Sequence, residues 1–274
     1  MKHSLIKLAI YAFLVGVLLI CIVPFYLMIV NGTRSAADIN AGVSFIPGSY
    51  LVQNFKSITS QLNMFTGLRN TAVVCTAIMI VSSYVAGLTA FSIVFYEYRF
   101  KKLLFGIILA SLMLPQALGL IGYFDLCIKL NILDTLSALI FAGAANAAGV
   151  FFLKQYTQSV IPLALIQAAR VDGASELRIF HRIALPMMLP GMASIGIFSF
   201  VFNWNNYILP LTIISTPEKY TISMIINQLN STVYFRDFGA IYLGIAISII
   251  PILVVFVLFS KVIIKGIAGG SIDK

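Results

Sequence analysis

Gln167-Ala168-Ala169-Arg170-Val171-Asp172-Gly173, followed further on by Ile183-Ala184-Leu185-Pro186, lies in a polar island between long apolar runs. The island covers about 154–187, which is long for a bare connector, since structureless loops beyond about 12–15 residues are uncommon in compact proteins. Ser159 is a capping residue type, and Pro162 suits a first helical turn, where its missing N–H costs nothing. The spacing predicts a helix over Leu163 to Val171, about 14 Å long at ~1.5 Å per residue. Gly173 fits the left-handed position that ends a helix. Ser175 can cap a second piece, with Glu176 favoured in its first turn by the helix dipole. Two short helices joined by a glycine turn therefore face water. Ala168 and Ala169 leave one face able to sit deep in a partner's groove, flanked by Leu165 and the stems of Arg170 and Arg178. The same basic residues suit a hairpin lying on lipid headgroups, and pattern alone leaves both readings open.

Outward from the island the chain has the composition of a membrane protein. Of its 274 residues 60% are hydrophobic and 10% charged, and the mean hydropathy is +1.01; a soluble domain carries about 25% charged residues. Six stretches, about 8–30, 71–95, 103–124, 135–153, 188–213 and 239–264, approach or exceed the ~20 residues of helix that cross a hydrocarbon core. The expected fold is an all-α integral membrane protein, one transmembrane domain over 1–274 with six transmembrane helices and the hairpin as a cytoplasmic loop. The fourth stretch is rich in Ala and Gly from Ala142 to Gly149, which lets helices approach closely and predicts a span buried among its neighbours. The first stretch is long and lacks a small-residue cleavage motif, so it reads as a retained span.

Lys and Arg set the orientation. With the N-terminus inside, Lys2, Lys7, Arg99, Lys101, Lys102, Lys154, Arg170, Arg178, Arg182, Lys261, Lys265 and Lys274 are cytoplasmic. Arg34, Lys56, Arg69, Lys129, Lys219 and Arg236 are outside, so the 18 divide twelve against six and both termini are cytoplasmic. The net charge of +9 is then a topology signal and points to no nucleic acid. Two outer loops, about 31–69 and about 214–238, are long enough to cap a pathway or dock an external protein, or simply to connect spans. Pro24, Pro115, Pro210 and Pro251 fall in or near spans, where kinks are tolerated if neighbours satisfy the freed carbonyls.

Several chemistries are missing. No Asp, Glu, Lys, Arg or His falls near a span centre; Glu97, Asp125 and Asp134 sit at or beyond span ends. Ion-coupled carriers commonly keep such a group in mid-membrane as a relay. Both histidines, His3 and His181, are on the cytoplasmic side, so no redox or hydrolytic cluster is assembled. Cys21, Cys75 and Cys127 are scattered through apolar sequence and read as small buried hydrophobes, neither a metal site nor a disulfide set. There is no GxxxxGK[ST] phosphate loop. The energy source is expected on another chain, and no enzymatic activity is expected on this one.

The spacing Q-A-A-x3-G-x9-I-x-L-P resembles the EAA loop of inner-membrane permease subunits of ATP-binding-cassette importers, E-A-A-x3-G-x9-I-x-L-P. Six of seven named positions match without a gap, which average residue usage produces on the order of once in 10⁷ windows. The likeness extends to Ile161-Pro162, Asp172-Gly173-Ala174-Ser175, Phe180, Arg182, Leu68-Arg69-Asn70-Thr71, Arg99-Phe100, Phe200, Trp204-Asn205 and Pro210-Leu211. These are similar to the carbohydrate-importer branch, near the second permease of maltose-type systems.

The resemblance implies a multi-pass protein of a bacterial or archaeal cytoplasmic (inner) membrane. It implies a complex with a second permease subunit as heterodimer, an ABC ATPase dimer and an extracytoplasmic solute-binding protein. ATP and Mg would bind the partner ATPase, and this chain would carry no cofactor and no metal. Gln167, Ala168, Ala169, Arg170, Asp172, Gly173, Ile183, Leu185 and Pro186 become the expected ATPase-coupling residues. The hairpin would sit as a coupling helix in a cleft on the ATPase and move as a lever when the ATPase dimer closes. The family Glu is Gln167 here, which keeps length and hydrogen bonding but removes a salt bridge to the ATPase. The cargo implied is a sugar or oligosaccharide; a polyol, glycerol phosphate or uronate oligomer is the variant, and a secondary carrier the alternative outside the class. Amides beside aromatic rings suit sugars, so Asn203, Trp204, Asn205, Asn206, Tyr207 and Gln116 are the expected pathway residues. Asn and Gln also bond between membrane helices, at about 0.6–2 kcal/mol each, and that reading stays open. The tail from Gly269 to Lys274 is expected to fray.

Overall fold

The apolar runs, rich in Ile, Val and Phe, become helices because a lipid environment leaves backbone groups no partner outside the segment. The computed structural model describes residues 2–61, 63–231 and 237–268, without the side chains of 2–5, 60–61, 116, 230–231 and 260–268. Among the described residues there is no strand. The helices are α1 (Lys2–Asn31), α2 (Ala36–Ala41), α3 (Leu51–Gln61), α4 (Met64–Phe95), α5 (Lys101–Ser111), α6 (Gln116–Lys129) and α7 (Leu136–Ala144). They continue as α8 (Ala147–Val160), α9 (Leu163–Val171), α10 (Glu176–Ile179), α11 (Leu185–Trp204), α12 (Ile208–Ile213), α13 (Ile222–Ser231) and α14 (Phe238–Ala268).

Among the described residues four helices are long and apolar enough to cross a membrane: Ile6–Asn31, Met64–Phe95, Glu176–Trp204 and Phe238–Phe259. A fifth span forms if α7 and α8, bent by 43° at Ala145–Asn146, are taken together. Four expected stretches differ, the second in starting at Met64, seven residues before 71. The stretch 103–124 is two helices, broken at 112–115, where Pro115 has no N–H and disfavours the α conformation at Leu114. The fourth stretch runs on to Val160. The fifth helix starts inside the polar island at Glu176 and stops at Trp204, short of 213, because Asn205-Asn206-Tyr207 breaks it before α12.

Two units are distinguished by their internal contacts. In the first, residues 1–65 and 224–251, α1 exposes apolar side chains nearly all round, Cys21 among them, so this cysteine is not the buried hydrophobe expected. The segment after α1 is tied by Arg34, whose guanidinium donates to Asn31 Oδ1 and to the Asp38 and Gly42 carbonyls. Buried Asn54 donates to the Gly32 and Arg34 carbonyls at 2.8 and 3.0 Å. Ser35 and Asp38 form a reciprocal capping box on α2.

In the second unit, residues 66–223 and 252–274, α8 packs on α5 and α11, while α12 packs on α6 and α7. Small residues make the close approaches: a Cβ on Gly143 would meet the Ile78 side chain at 2.6 Å, and one on Gly191 the Tyr156 ring at 2.6 Å. At the α7–α8 bend, Asn146 Oδ1 accepts from Gly149 N and its amide donates to Ser199 Oγ, both at 2.8 Å, with Ser82 Oγ 3.4 Å from Ser199. Cys75 and Cys127 are buried and free.

Candidate functional site

The hairpin is built as a helix, a turn and the start of a second helix. Helix α9 covers the nine residues expected of it and is entered through Pro162 with no side-chain cap. Ser159 is not the cap: it lies in the last turn of α8 and donates to the Tyr156 carbonyl. The exit is a Schellman turn. Gly173 has φ +76°, its N–H reaches the Arg170 carbonyl, and the Ala174 N–H reaches the Ala169 carbonyl, both at 3.0 Å. Ser175 has the extended backbone of an N-cap but makes no side-chain cap bond.

Beyond α10, Phe180–Ala184 is a π-helical turn. Leu185 N bonds the Phe180 carbonyl, five residues back, and Pro186 has no N–H for the Arg182 carbonyl, so the wider turn is where α-pairing fails. The path stays helical, and Glu176–Trp204 is one 29-residue helix.

Burial sorts the nine expected coupling residues. Gln167, Ala168, Asp172, Gly173 and Pro186 are exposed; Arg170, Ile183 and Leu185 are half-buried; Ala169 is buried, 8% exposed. Ala169 shares a core with Ile166, Ile179, Phe180, Phe91 and Met188. The adjacent alanines thus face different ways: Ala168 lies on the open surface, while Ala169 seats the hairpin on its own chain. Val171 (87% exposed) and Leu177 (69%) add large apolar side chains to the open surface. The Ile-x-Leu-Pro end of the motif forms the joint between hairpin and α11.

Sequence reasoning missed what holds the two limbs together. Arg170 Nε donates to Glu176 Oε1 at 2.8 Å and Nη2 to Oε2 at 3.2 Å. The same Nη2 donates to the Phe95 carbonyl at 3.3 Å, and the guanidinium lies over the Tyr96 ring, 5.4 Å from its centre. Tyr96 Oη donates to Glu176 Oε2 at 2.6 Å. Glu176 raises the Arg170 pKa; burial, then the bond to Glu176, pushes the Tyr96 hydroxyl up to about 12. Tyr84 Oη and His181 Nε2, 3.0 Å apart, add a second polar tie between α4 and the π turn.

Five of the six expected pathway residues, 203–207, lie at the far end of α11 and just beyond it. Trp204 is buried and stacks on Phe200 at 5.3 Å. The Asn203 and Asn205 amides donate to the Ser199 and Val201 carbonyls, each at 2.8 Å. Asn206 Oδ1 accepts from Leu209 N at 3.3 Å, and its carbonyl accepts from Ser223 Oγ at 2.8 Å. Tyr207 is half-buried. A small cleft is lined by Asn203 and Asn206 together with Thr71, Cys75, Leu139 and Thr221. The side chain of Gln116 and the 269–274 tail lie outside the described residues.

Beside this cleft the 214–221 connection is held from two sides. Asp134, at φ +57°, accepts from Ser215 N, from Thr216 N and Oγ1, and from Lys219 Nζ at 3.0 Å. Buried Asn70 donates to the Glu218 and Tyr220 carbonyls at 2.9 and 3.1 Å. The Thr216 hydroxyl above all holds the Asp134 carboxyl well below the usual carboxylate range.

Residues 79–269 match the family described as the binding-protein-dependent transport system inner membrane component, well over half of the chain. The chain belongs to this family. The permease is similar to the arabinooligosaccharides transport system permease protein of Halalkalibacterium halodurans, 26% identical over 92% of this chain and 91% of that one. It is also 26% identical to the sn-glycerol-3-phosphate transport system permease protein of Escherichia coli, over 90% and 91% of the two chains. In fold it matches a chain from the crystal structure of a bacterial ABC transporter involved in import of the acidic polysaccharide alginate. The TM-score is 0.81 over 95% of this chain and 98% of that one, at 20% identity. The matched region contains the whole hairpin, α8, α11 and the half of α4 that the hairpin packs on, in a multi-pass inner-membrane transport component.

Proposed function

We propose that this permease forms half of a solute pathway in an ATP-driven importer and takes its energy through the 163–184 hairpin. The observation that carries the reading is an exposed hairpin, closed by its Schellman turn and packed on α4. Its open face combines Gln167, Ala168 and Gly173 with exposed Val171 and Leu177. Apolar side chains on such a projection call for a protein cover. The cover proposed is the cleft of an ABC ATPase that binds ATP and Mg itself. Gln167 meets it by hydrogen bonding, without a salt bridge. A second, different permease subunit completes the pathway, and an extracytoplasmic binding protein delivers the solute.

In this reading the whole chain is one transmembrane domain with six spans, both termini cytoplasmic. The broken α5–α6 pair supplies a sixth crossing and the 214–221 connection faces outward. ATPase closure would bias the permease between two states, as a bistable element. A sugar or oligosaccharide is the cargo the reading favours; a polyol, glycerol phosphate or uronate oligomer is the variant. Asn203 and Asn206, which line the cleft, are the better candidates for contact with it; Trp204 stacks on Phe200 and does not line it. A secondary carrier is disfavoured because the span centres carry no ionisable relay.

The test is uptake of labelled arabino-oligosaccharide and of glycerol 3-phosphate by cells with and without this chain. Uptake that needs the chain, stops on ATP depletion and survives collapse of the proton gradient supports the reading. Uptake that follows the gradient overturns it.

A further inference from the structure

We infer that Arg170, Glu176 and Tyr96 form a clamp that makes the hairpin and the end of α4 move as one body, so that Arg170 is a positioning residue and not an ATPase contact. The inference rests on the coupling role proposed above. A lone exposed ion pair contributes little, but this pair is the centre of a network. The Arg170 fork takes both oxygens of Glu176, Tyr96 Oη gives a second bond to Oε2, and the spare guanidinium N–H reaches the Phe95 carbonyl. Bidentate charged bonds fix orientation as well as distance. Phe95 is the last residue of α4, where carbonyls lack helical partners, so Arg170 also closes that helix end. Lys101, donating to the Tyr96 carbonyl at 2.9 Å and paired with Glu97 at 2.8 Å, braces the same corner from α5.

Apolar contacts through Ile166, Ile179 and Phe180 already hold the hairpin against α4 and α8. Such contacts are non-directional, and by themselves they let a short helical limb roll. The clamp adds direction. It joins α9 to the first residue of the 29-residue helix Glu176–Trp204 and both to the 32-residue α4. A force applied to the exposed face then reaches two long helices together. Removing one member frees the hairpin to turn under load without carrying the spans.

The experiment uses the whole transporter in liposomes, with exposed Cys21 replaced by Ser and spin labels at Arg99→Cys beyond α4 and Ala164→Cys on α9, both exposed. ATP in EDTA is the probe, since nucleotide then binds without hydrolysis. With the clamp intact, a single narrow label distance that ATP does not change is expected. In Glu176→Gln the distance should shift or broaden on ATP, while the ATPase subunit co-purifies at wild-type yield. The reversed pair, Arg170→Glu with Glu176→Arg, keeps the ion pair but loses the bonds to Tyr96 and the Phe95 carbonyl, so it should narrow the distance only in part. Tyr96→Phe removes a single bond and should broaden it less, which keeps the test open if Glu176→Gln folds poorly. An unchanged distance in both Glu176→Gln and Tyr96→Phe overturns the clamp. So does loss of the ATPase subunit from a folded Glu176→Gln complex, which would make these residues docking contacts. If the wild-type complex contains no ATPase, the coupling role fails first, and this inference with it.

Discussion

Gly173 holds φ +76°, and a Cβ at that position would meet no neighbour within 4 Å, so a substitution there is limited by backbone conformation and not by space. A β-branched residue at that φ costs about 1–2 kcal/mol. Gly173→Val should insert and accumulate normally yet lose uptake at least about tenfold, the factor that ~1.4 kcal/mol corresponds to; wild-type uptake would separate the turn from transport. This glycine was legible from its place after an alanine-rich helix. The different orientations of Ala168 and Ala169 were not, because neighbours on a helix differ by about 100° and both Leu165 and Ile166 offer an apolar face. Ala169→Arg should therefore destabilise the hairpin itself, read as faster proteolysis between 163 and 184, since a cation would enter an apolar core. Ala168→Arg should leave proteolysis unchanged and weaken ATPase pull-down. The clamp escaped sequence reading because Arg170 and Glu176 lie on opposite sides of a turn, and Tyr96 is distant in sequence.

Helix α9 was predictable because propensity, the Pro162 entry and the glycine exit agree on the same nine residues. The breaks were harder. Hydropathy averages across Pro115, Asn146 and Asn205-Asn206, so three apolar runs read as continuous although each is two helices. Asn146 satisfies its break with its own side chain, capping α8 and holding Ser199. Asn146→Ala loses a cap of about 1 kcal/mol and a half-buried hydrogen bond of about 1 kcal/mol. A melting temperature lowered by several degrees in detergent is expected, with the ATPase still bound. Asp134 makes the 214–221 connection acid-sensitive in one direction. Its folded pKa is depressed, so the stabilisation is fully present above the unfolded value of about 3.9 and is lost as pH falls toward the folded one. Melting should therefore show no Asp134-dependent change between pH 5 and 8. Below about pH 4 the wild type should lose stability more steeply than Asp134→Asn, whose side chain does not titrate.

The chain as a whole turns apolar surface outward along α1 and on much of α14. Composition predicted that outward face; it carries no record of which parts meet lipid and which meet another subunit, because lipid tails and packed side chains are equally apolar. The hairpin differs, since its exposed Val171 and Leu177 stand among polar residues. From the residues alone the hairpin suited a protein groove and lipid headgroups equally, and the ATPase and the second permease entered the reading only through the family resemblance. The most direct measurement is purification of this chain from its native membrane in mild detergent, with mass spectrometry of what accompanies it. The predicted result is an ABC ATPase and a second permease in the wild-type preparation, with the ATPase lost from the Ala168→Arg one. A chain that purifies alone and moves solute in liposomes without ATP would contradict the account.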